Sequence, residues 1–588
     1  MAVPRHLKLV VGGALAVVVM TTAFSTSANA ATSSGSGPHK GGVLKIVATS
    51  DVDHIDPTSA GTIDSNNVQH AISRTLIGYQ SSMNEAERVT PRGDLATSVP
   101  TPTDNGLTYT YHIRQGADWD APSGARQITS ADFARGMELM CNPYEASPRL
   151  GYVEDLIAGM QTFCDGFAKV APTADAMKAY LASNSISGID TSSPDTVVIH
   201  LLQKAGDFNN MLSLPSTAPQ PIEALDYIPD SPAYRTNFVA SGPYTLGAYT
   251  PNESLTLVRN KDWKASSDPL EKGYVNEIQF TFGVTPQAAM QQLESGDADL
   301  SYDITIPTAS LQQLQRESSP NLVSFDAGLT EFIWINTESD SNGGALRNKK
   351  VREALEYAVN KKAIVQVLGG PDVASVQNGI LGPGVSGYHA FDPYPTHDSE
   401  GDPAKAKKLL AEAGYPNGLT LKMPYMTTAP EPARAQTIQA SLAKAGFKVQ
   451  LIPVSASDYY SKFMTNTSTT AAGAWDIAPA SWEPDWVGGA ARSVFQAQFT
   501  YHGTPQTYNY VNFNDATADN FANEALSTSN AAQSAKLWEK VDEQVMSDAQ
   551  VIPEDAPKII LYHSSAVKNF EIYPLGSEAD WTNLWLSK

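Results

Sequence analysis

EFIWINTESDSNGGALRNKKVREALEYAVNKKAIVQVL, residues 331 to 368, places a short apolar strand, a polar loop and an amphipathic helix in succession. Phe332 to Asn336 is bulky and apolar enough for a buried strand, and Ser339 to Gly344 supplies the turn residues that stop it. From Val351 the apolar positions fall at 351, 354, 355, 358 and 359, helical spacing that leaves Lys and Arg on the far side. A strand that breaks and returns as a helix in this way reads as a crossing between two lobes. The chain is long enough to need them: it has 588 residues, and a single core stops growing at roughly 250 to 300.

Composition is that of an ordinary globular protein, 42% hydrophobic and 17% charged. The net charge of −22 opposes contact with phosphate backbones, which draws on Lys and Arg to release counterions, so no nucleic-acid partner is expected. Residues 1 to 30 read as a secretory signal, with Arg5 and Lys8 at the start, a largely apolar run from Leu9 to Phe24, and Ala28-Asn29-Ala30 as the cleavage signature. An uncleaved anchor fits less well, because the run is short and contains Gly12, Gly13, Thr21 and Thr22. Cleavage is expected after Ala30, followed by a flexible Ser- and Gly-rich leader over 31–42. No cysteine follows the apolar run to carry a lipid, so a secreted, extracellular protein without a lipid anchor is expected. The two cysteines are Cys141 and Cys164. In an exported chain a disulfide is their natural pairing; two free buried thiols are the alternative, and a metal site would need further ligands that do not cluster here.

Further along, Val43 to Ala48 reads as a strand, Val68 to Leu76 as helical, and Val89 to Trp119 as an extended lead-in, a strand, a hairpin turn at Asn105-Gly106 and a second strand. A helix starts at Thr129 to Asp132, the stretch from Met137 to Ser193 is mostly helical, and Pro194 to Leu202 is a strand. Ala240 to Trp263 gives two strands about Pro251-Asn252, Val275 to Phe282 another strand, and Met290 to Asp299 a helix end stopped by Gly296. Asp402 to Gly414 is an amphipathic helix. Leu419 to Met426, Glu431 to Ala445 and Phe447 to Val454 make a βαβ rhythm that predicts parallel pairing. Ala516 to Ser547 is largely helical, and Val551 to Tyr562 returns as a strand.

Several of these stretches, taken in order, resemble one family: the extracellular solute-binding proteins of ABC importers, specifically the oligopeptide- and dipeptide-binding family 5. Val351 to Ile364 matches its V-R-x-A-L-x-Y-A-V-(N/D)-(K/R)-x-x-I, and Asn105 to Trp119 resembles its G-L-T-Y-T-F-x-L-R-x-G-x-x-W. Gly242-Pro243-Tyr244, Leu293 to Asp299 and Asp402 to Gly414 resemble further elements, so the likeness spans essentially the whole mature chain. It implies an α/β, periplasmic-binding-protein-like fold of type II, of the large class with an extra inserted lobe, whose ligand cleft lies between lobes joined by crossing strands. Lobe I would comprise 43–80, 195–331 and 556–588, lobe II the insert 81–194, and lobe III 332–555. The protein would be a monomer that takes an oligopeptide or dipeptide and delivers it to a membrane permease and ATPase, with no cofactor. Oligosaccharides and nickel chelates are the rival cargoes in this fold, and a secreted interaction protein no longer coupled to transport is the rival of a different class.

Ala474 to Trp486, AWDIAPASWEPDW, reads as a strand breaking into a loop. It resembles the family segment in which a loop aspartate pairs with the ligand's α-ammonium. By position Asp485 takes that role and Trp482 the matching aromatic, with Ser481, Glu483 and Trp486 alongside. An ammonium taken out of water needs a paired acceptor, which a pocket carboxylate supplies; the plain alternative is that Asp485 caps a turn after Pro484. Where some relatives have an arginine shortly before that tryptophan, this chain has Pro479, so a ligand carboxylate would be held differently. Ile63, in the opening strand and loop, and Phe332, on the crossing strand, are further contact candidates, although apolar residues of this kind more often belong to the core. Enzyme signatures are thin: the zinc helix H-E-x-x-H, the G-x-S-x-G elbow and the Walker loop do not occur. Ser441 to Lys444 and Ser565 to Lys568 match S-x-x-K without its companion motifs, and Glu483 with Asp485 are near-adjacent loop acids, so a hydrolase is not expected.

Overall fold

The computed structural model describes residues 37–455, 458–500, 508–528 and 530–587, with the side chains of residues 63 and 64 outside that set. The expected signal and most of the leader therefore lie outside the described residues. From His39 onward the chain forms one compact unit.

Thr330–Ile335 is the strand expected on the crossing. It pairs antiparallel with Ile477–Trp482 on one side and with the first part of Val551–Tyr562 on the other. Phe332, Ile333, Trp334 and Ile335 are all fully buried. Alternation along the strand sends Phe332 and Trp334 into one core cluster and Ile333 into another, together with Ile335. A strand covered on both faces needs an apolar run, and Phe332 to Ile335 supply it after the polar Thr330 and Glu331. The second part of Val551–Tyr562 pairs with Leu322–Asp326, so a single long strand ties both segments flanking the turn at Gly328. Gly328 has φ +79°, and a Cβ there would stand 2.7 Å from Val385 Cγ2, which is why the turn takes glycine. A bridge between Leu300 and His563 carries the connection on to a second five-stranded sheet.

That sheet runs Leu300–Tyr302, Val43–Ala48, Glu277–Thr281, Ser254–Arg259, Tyr244–Thr250, with Val43–Ala48 parallel to both neighbours and the remainder antiparallel. Leu419–Met426 and Phe447–Val454 pair in parallel across the helix Glu431–Lys444, as their rhythm predicts. Among the described residues no helix is long and apolar enough to cross a membrane.

Two local expectations are corrected. The helix expected from Val351 is two helices, Lys349–Ala358 and Lys361–Leu368. Val359 turns extended, and the Asn360 side chain accepts from the Ala363 amide to start the second helix, a local bond that competes with continuation. The hairpin about Asn105-Gly106 is only a turn closed by a bridge between Thr103 and Thr108. The segment before it contains Pro100 and Pro102, which lack the donor a paired strand needs. Thr108–His112 instead pairs with Thr196–His200, and that strand with Ile189–Ser193.

Cys141 and Cys164 are joined in a disulfide with Cα atoms 5.2 Å apart, tying the end of the helix Ser130–Leu139 to the helix Met160–Phe167. At the crossing itself one cation serves a crowd of acids. The Arg434 guanidinium, with its side chain 2% exposed, lies 2.9 Å from Glu554, 2.5 Å from Asp555, 3.5 Å from Glu431 and 3.9 Å from Glu331. Glu331 and Asp555 are cross-strand neighbours on the two crossing strands. Burial pushes the Glu554 carboxyl up to about 8 and the Glu331 carboxyl up to about 7, with Arg434 pulling both the other way.

Candidate functional site

The strand Ile477–Trp482 leaves the sheet at Trp482, and the loop that follows is held by residues from far earlier in the chain. Tyr152 donates its hydroxyl to Asp485 Oδ2. An Arg149 Nη2 lies 3.8 Å from Asp485 Oδ1, an ion contact too long for a hydrogen bond. Both come from the segment between the two cysteines, on the 3₁₀ turn Leu150–Tyr152 and the residue preceding it. The Asp485 amide donates to Ser493 Oγ at 3.2 Å, which fixes the carboxylate's backbone. Burial, with the Asp485 charge next, holds the Tyr152 phenol well above its ordinary range, so it remains a donor. The Asp485 side chain is 25% exposed and keeps part of its acceptor surface open.

The two tryptophans of the loop differ in their surroundings. Trp486 is fully buried, stands edge-on to Tyr152 with ring centroids 4.9 Å apart, and donates its indole N–H to Gly489 O at 3.1 Å. Trp482 is half-buried, meets the exposed Tyr508 at 5.0 Å, and has an indole nitrogen without a hydrogen-bond acceptor among the described residues. Beyond Trp486 the loop is clamped again: Tyr79 OH donates to Val487 O at 3.2 Å, and Asn210 Nδ2 to the same oxygen at 3.3 Å. Gly488 lies against Val89, whose carbonyl a Cβ would approach to 2.5 Å. Arg492 forks onto Asp207 with Nε–Oδ2 2.7 Å and Nη2–Oδ1 3.0 Å, both side chains largely buried. These contacts join the regions expected as lobes I and II to the region expected as lobe III.

Of the residues singled out from sequence, Asp485 and Trp486 share the neighbour Tyr152, whereas Trp482 packs on Tyr508. Glu483 points elsewhere, accepting from Ser577 Oγ at 2.6 Å. Ser481 remains in the strand opposite Glu331, and Pro479 opposite Ile333. Phe332 is fully buried in the core, edge-on to Trp334. Ile63 is the first residue of the helix Ile63–Ile72, after the Thr62 cap, rather than part of a strand or loop; its side chain lies outside the described set. Sequence reasoning missed Arg149, Tyr152, Asp207 and Arg492. Tyr152 is 333 positions from Asp485, and no local pattern marks such a partner.

The family of bacterial extracellular solute-binding proteins, family 5 Middle, matches this chain over residues 90–496, more than half its length. The chain belongs to that family and is a solute-binding protein. Among its relatives, the glutathione-binding protein GsiB of Escherichia coli (strain K12) is 24% identical over 531 residues, covering 88% of this chain and 90% of that one. Among solved structures, clavulanic acid biosynthesis oligopeptide binding protein 2 superimposes with TM-score 0.83 at 22% identity, over 94% of this chain and 96% of that one. The Haemophilus influenzae OppA complex with the peptide RPPGFSPFR gives TM-score 0.68 at 20% identity, over 94% and 100%. The fold is therefore the α/β, periplasmic-binding-protein-like one that the sequence resemblance implies.

Proposed function

We propose that this protein captures a short peptide between its lobes, with the peptide's amino end held at Asp485, and hands it to the permease and ATPase of an ABC importer. The observation that carries this reading is the Asp485 carboxylate itself, braced by the Tyr152 hydroxyl, a quarter exposed, and set among aromatic rings. A low-dielectric wall strengthens an ammonium–carboxylate pair, and a hydroxyl donor steadies the acceptor without neutralising it. The peptide and glutathione ligands in the names of its relatives point the same way. The three-lobe division at 43–80, 195–331 and 556–588, at 81–194, and at 332–555 goes with this reading, closure being a hinge motion about the crossing strands. So do export with cleavage after Ala30, and action as a monomer. Native mass spectrometry after incubation with a pool of short peptides tests it: a peptide mass retained by the protein supports the reading, and a bare protein at saturating peptide overturns it.

A further inference from the structure

We infer that the Cys141–Cys164 disulfide is part of the apparatus that captures the ligand. It closes the segment that carries Arg149 and Tyr152, and so holds these two as positioning residues on the Asp485 loop. Ligand affinity, and not stability alone, then depends on the bond. The inference rests on the reading that Asp485 receives the ligand.

The bond spans 23 positions, and the segment inside it is pinned near its two ends. At the first end the Ser147 amide donates to Met140 O at 2.8 Å, and Asn142 Nδ2 donates to Leu139 O at 3.0 Å and to Glu145 O at 2.6 Å. These bonds fasten it to the end of the helix Ser130–Leu139. At the second end the Ala158 amide donates to His200 O at 2.9 Å and the Leu202 amide to Leu156 O at 2.8 Å, on the strand Thr196–His200 and just beyond it. Between the pins, every backbone hydrogen bond that residues 148–155 make among the described residues stays inside the segment. A stretch of this kind opens at low cost, since few bonds to the scaffold have to break. Its outward contacts are made by side chains and reach other parts of the chain. Arg149 Nη1 donates to Ala60 O at 2.9 Å, Glu145 stands 3.5 Å from His54 Nε2, and Tyr152 donates its hydroxyl to Asp485 while its ring meets Trp486 edge-on. The segment is a bracket between the Ala60 turn and the Asp485 loop, with the disulfide across its base. Cys141 and Cys164 are 4% and 5% exposed and share one apolar cluster with Val153, Leu156 and Trp486, so the bond fastens the bracket into the core that also carries the loop. Two effects tie the bond to affinity. Opening of the bracket takes away the hydroxyl that fixes the Asp485 carboxylate, which must then be ordered at the moment of binding. It also admits water, and the pair with the ligand weakens as the local dielectric rises.

The test is calorimetry on the full mature chain with a peptide that the unaltered protein retains from the pool, at a temperature where circular dichroism shows every protein folded. Four proteins are compared: the unaltered one, Tyr152→Phe, the pair Cys141→Ala with Cys164→Ala, and the three changes together. The cysteine pair and Tyr152→Phe are each expected to bind about tenfold more weakly, the scale of one hydrogen bond to a charged group. The triple variant is expected to bind no more weakly than the cysteine pair, because both changes remove the same brace. Full affinity of the cysteine pair, whatever its melting temperature, makes the bond structural only and overturns the inference. Losses that multiply in the triple variant overturn it as well. Full affinity of Tyr152→Phe overturns the brace and leaves capture at Asp485 standing. If the alanine pair does not fold, Cys141→Ser with Cys164→Ser takes its place; failure of both pairs to fold overturns the inference too, since the bond then serves the whole fold. Failure of the unaltered protein to retain any member of the pool overturns the underlying reading instead.

Discussion

Replacing Glu554 by Gln should flatten the pH dependence of stability, for a reason that lies in the crossing strands. Glu554 has a side chain 0% exposed, beside Asp555 and against Arg434. Burial raises its carboxyl from 4.5 to about 8, Asp555 adds to the rise, and Arg434 opposes it. Across that window the folded protein keeps a proton that the unfolded chain has released. The group's contribution is therefore complete below about pH 4.5 and is lost as pH climbs to about 8. At about 1.4 kcal/mol per pH unit, the loss amounts to at most about 5 kcal/mol. Gln keeps the size of the side chain and an oxygen for the Arg434 N–H, but it cannot ionise. Urea unfolding of both proteins at pH 5, 6, 7 and 8 should show the unaltered protein losing stability more steeply, by about one proton or about 1.4 kcal/mol per pH unit. The variant should still slope downward, because Glu331, pushed up to about 7, titrates in the same direction. Parallel profiles for the two proteins would refute the reasoning.

Thiol titration of the denatured, unreduced protein should find no free thiol, since Cys141 and Cys164 are bonded; reduction should then lower stability by about 3 kcal/mol, the chain-entropy cost for a loop of this size. Asp207→Asn should weaken ligand binding or stability by about 2 to 5 kcal/mol, because it strips the fork partner from the buried Arg492. Adding Arg492→Gln to that variant should recover part of the loss in a melting or affinity measurement, and simple additivity would show that the two residues are not coupled.

The sequence carried what is local and periodic. Phe332 to Ile335 were legible as strand because four bulky apolar residues in succession suit a segment buried on both faces, and the βαβ around Glu431–Lys444 because alternation and helical spacing follow each other without interruption. Asn360 was harder to read: the same side chain serves as a helix position or as a cap, and only its bond to Ala363 shows which. At the site, Asp485 and its flanking tryptophans were visible through a resemblance, whereas Arg149 and Tyr152 carried no signal, since what makes them matter is their approach to a loop more than 300 residues away. The acids around Arg434 were hidden likewise, being scattered over two strands and a helix that only the fold assembles.

The central claim is that Asp485 holds the ligand's amino end, and a double-change calorimetric cycle tests it most directly. The unaltered protein and Asp485→Ala would each be titrated with a peptide that the unaltered protein retains from the pool, and with its N-acetyl form. Removing the carboxylate should cost about 2 to 5 kcal/mol, a loss of roughly 30-fold to several thousand-fold in affinity. Acetylation should weaken binding to the unaltered protein by a similar factor and add little in the variant, because both changes remove one interaction. Full affinity of Asp485→Ala for the free peptide, or two losses that simply add, would contradict the account and leave Asp485 a turn residue bonded to Tyr152.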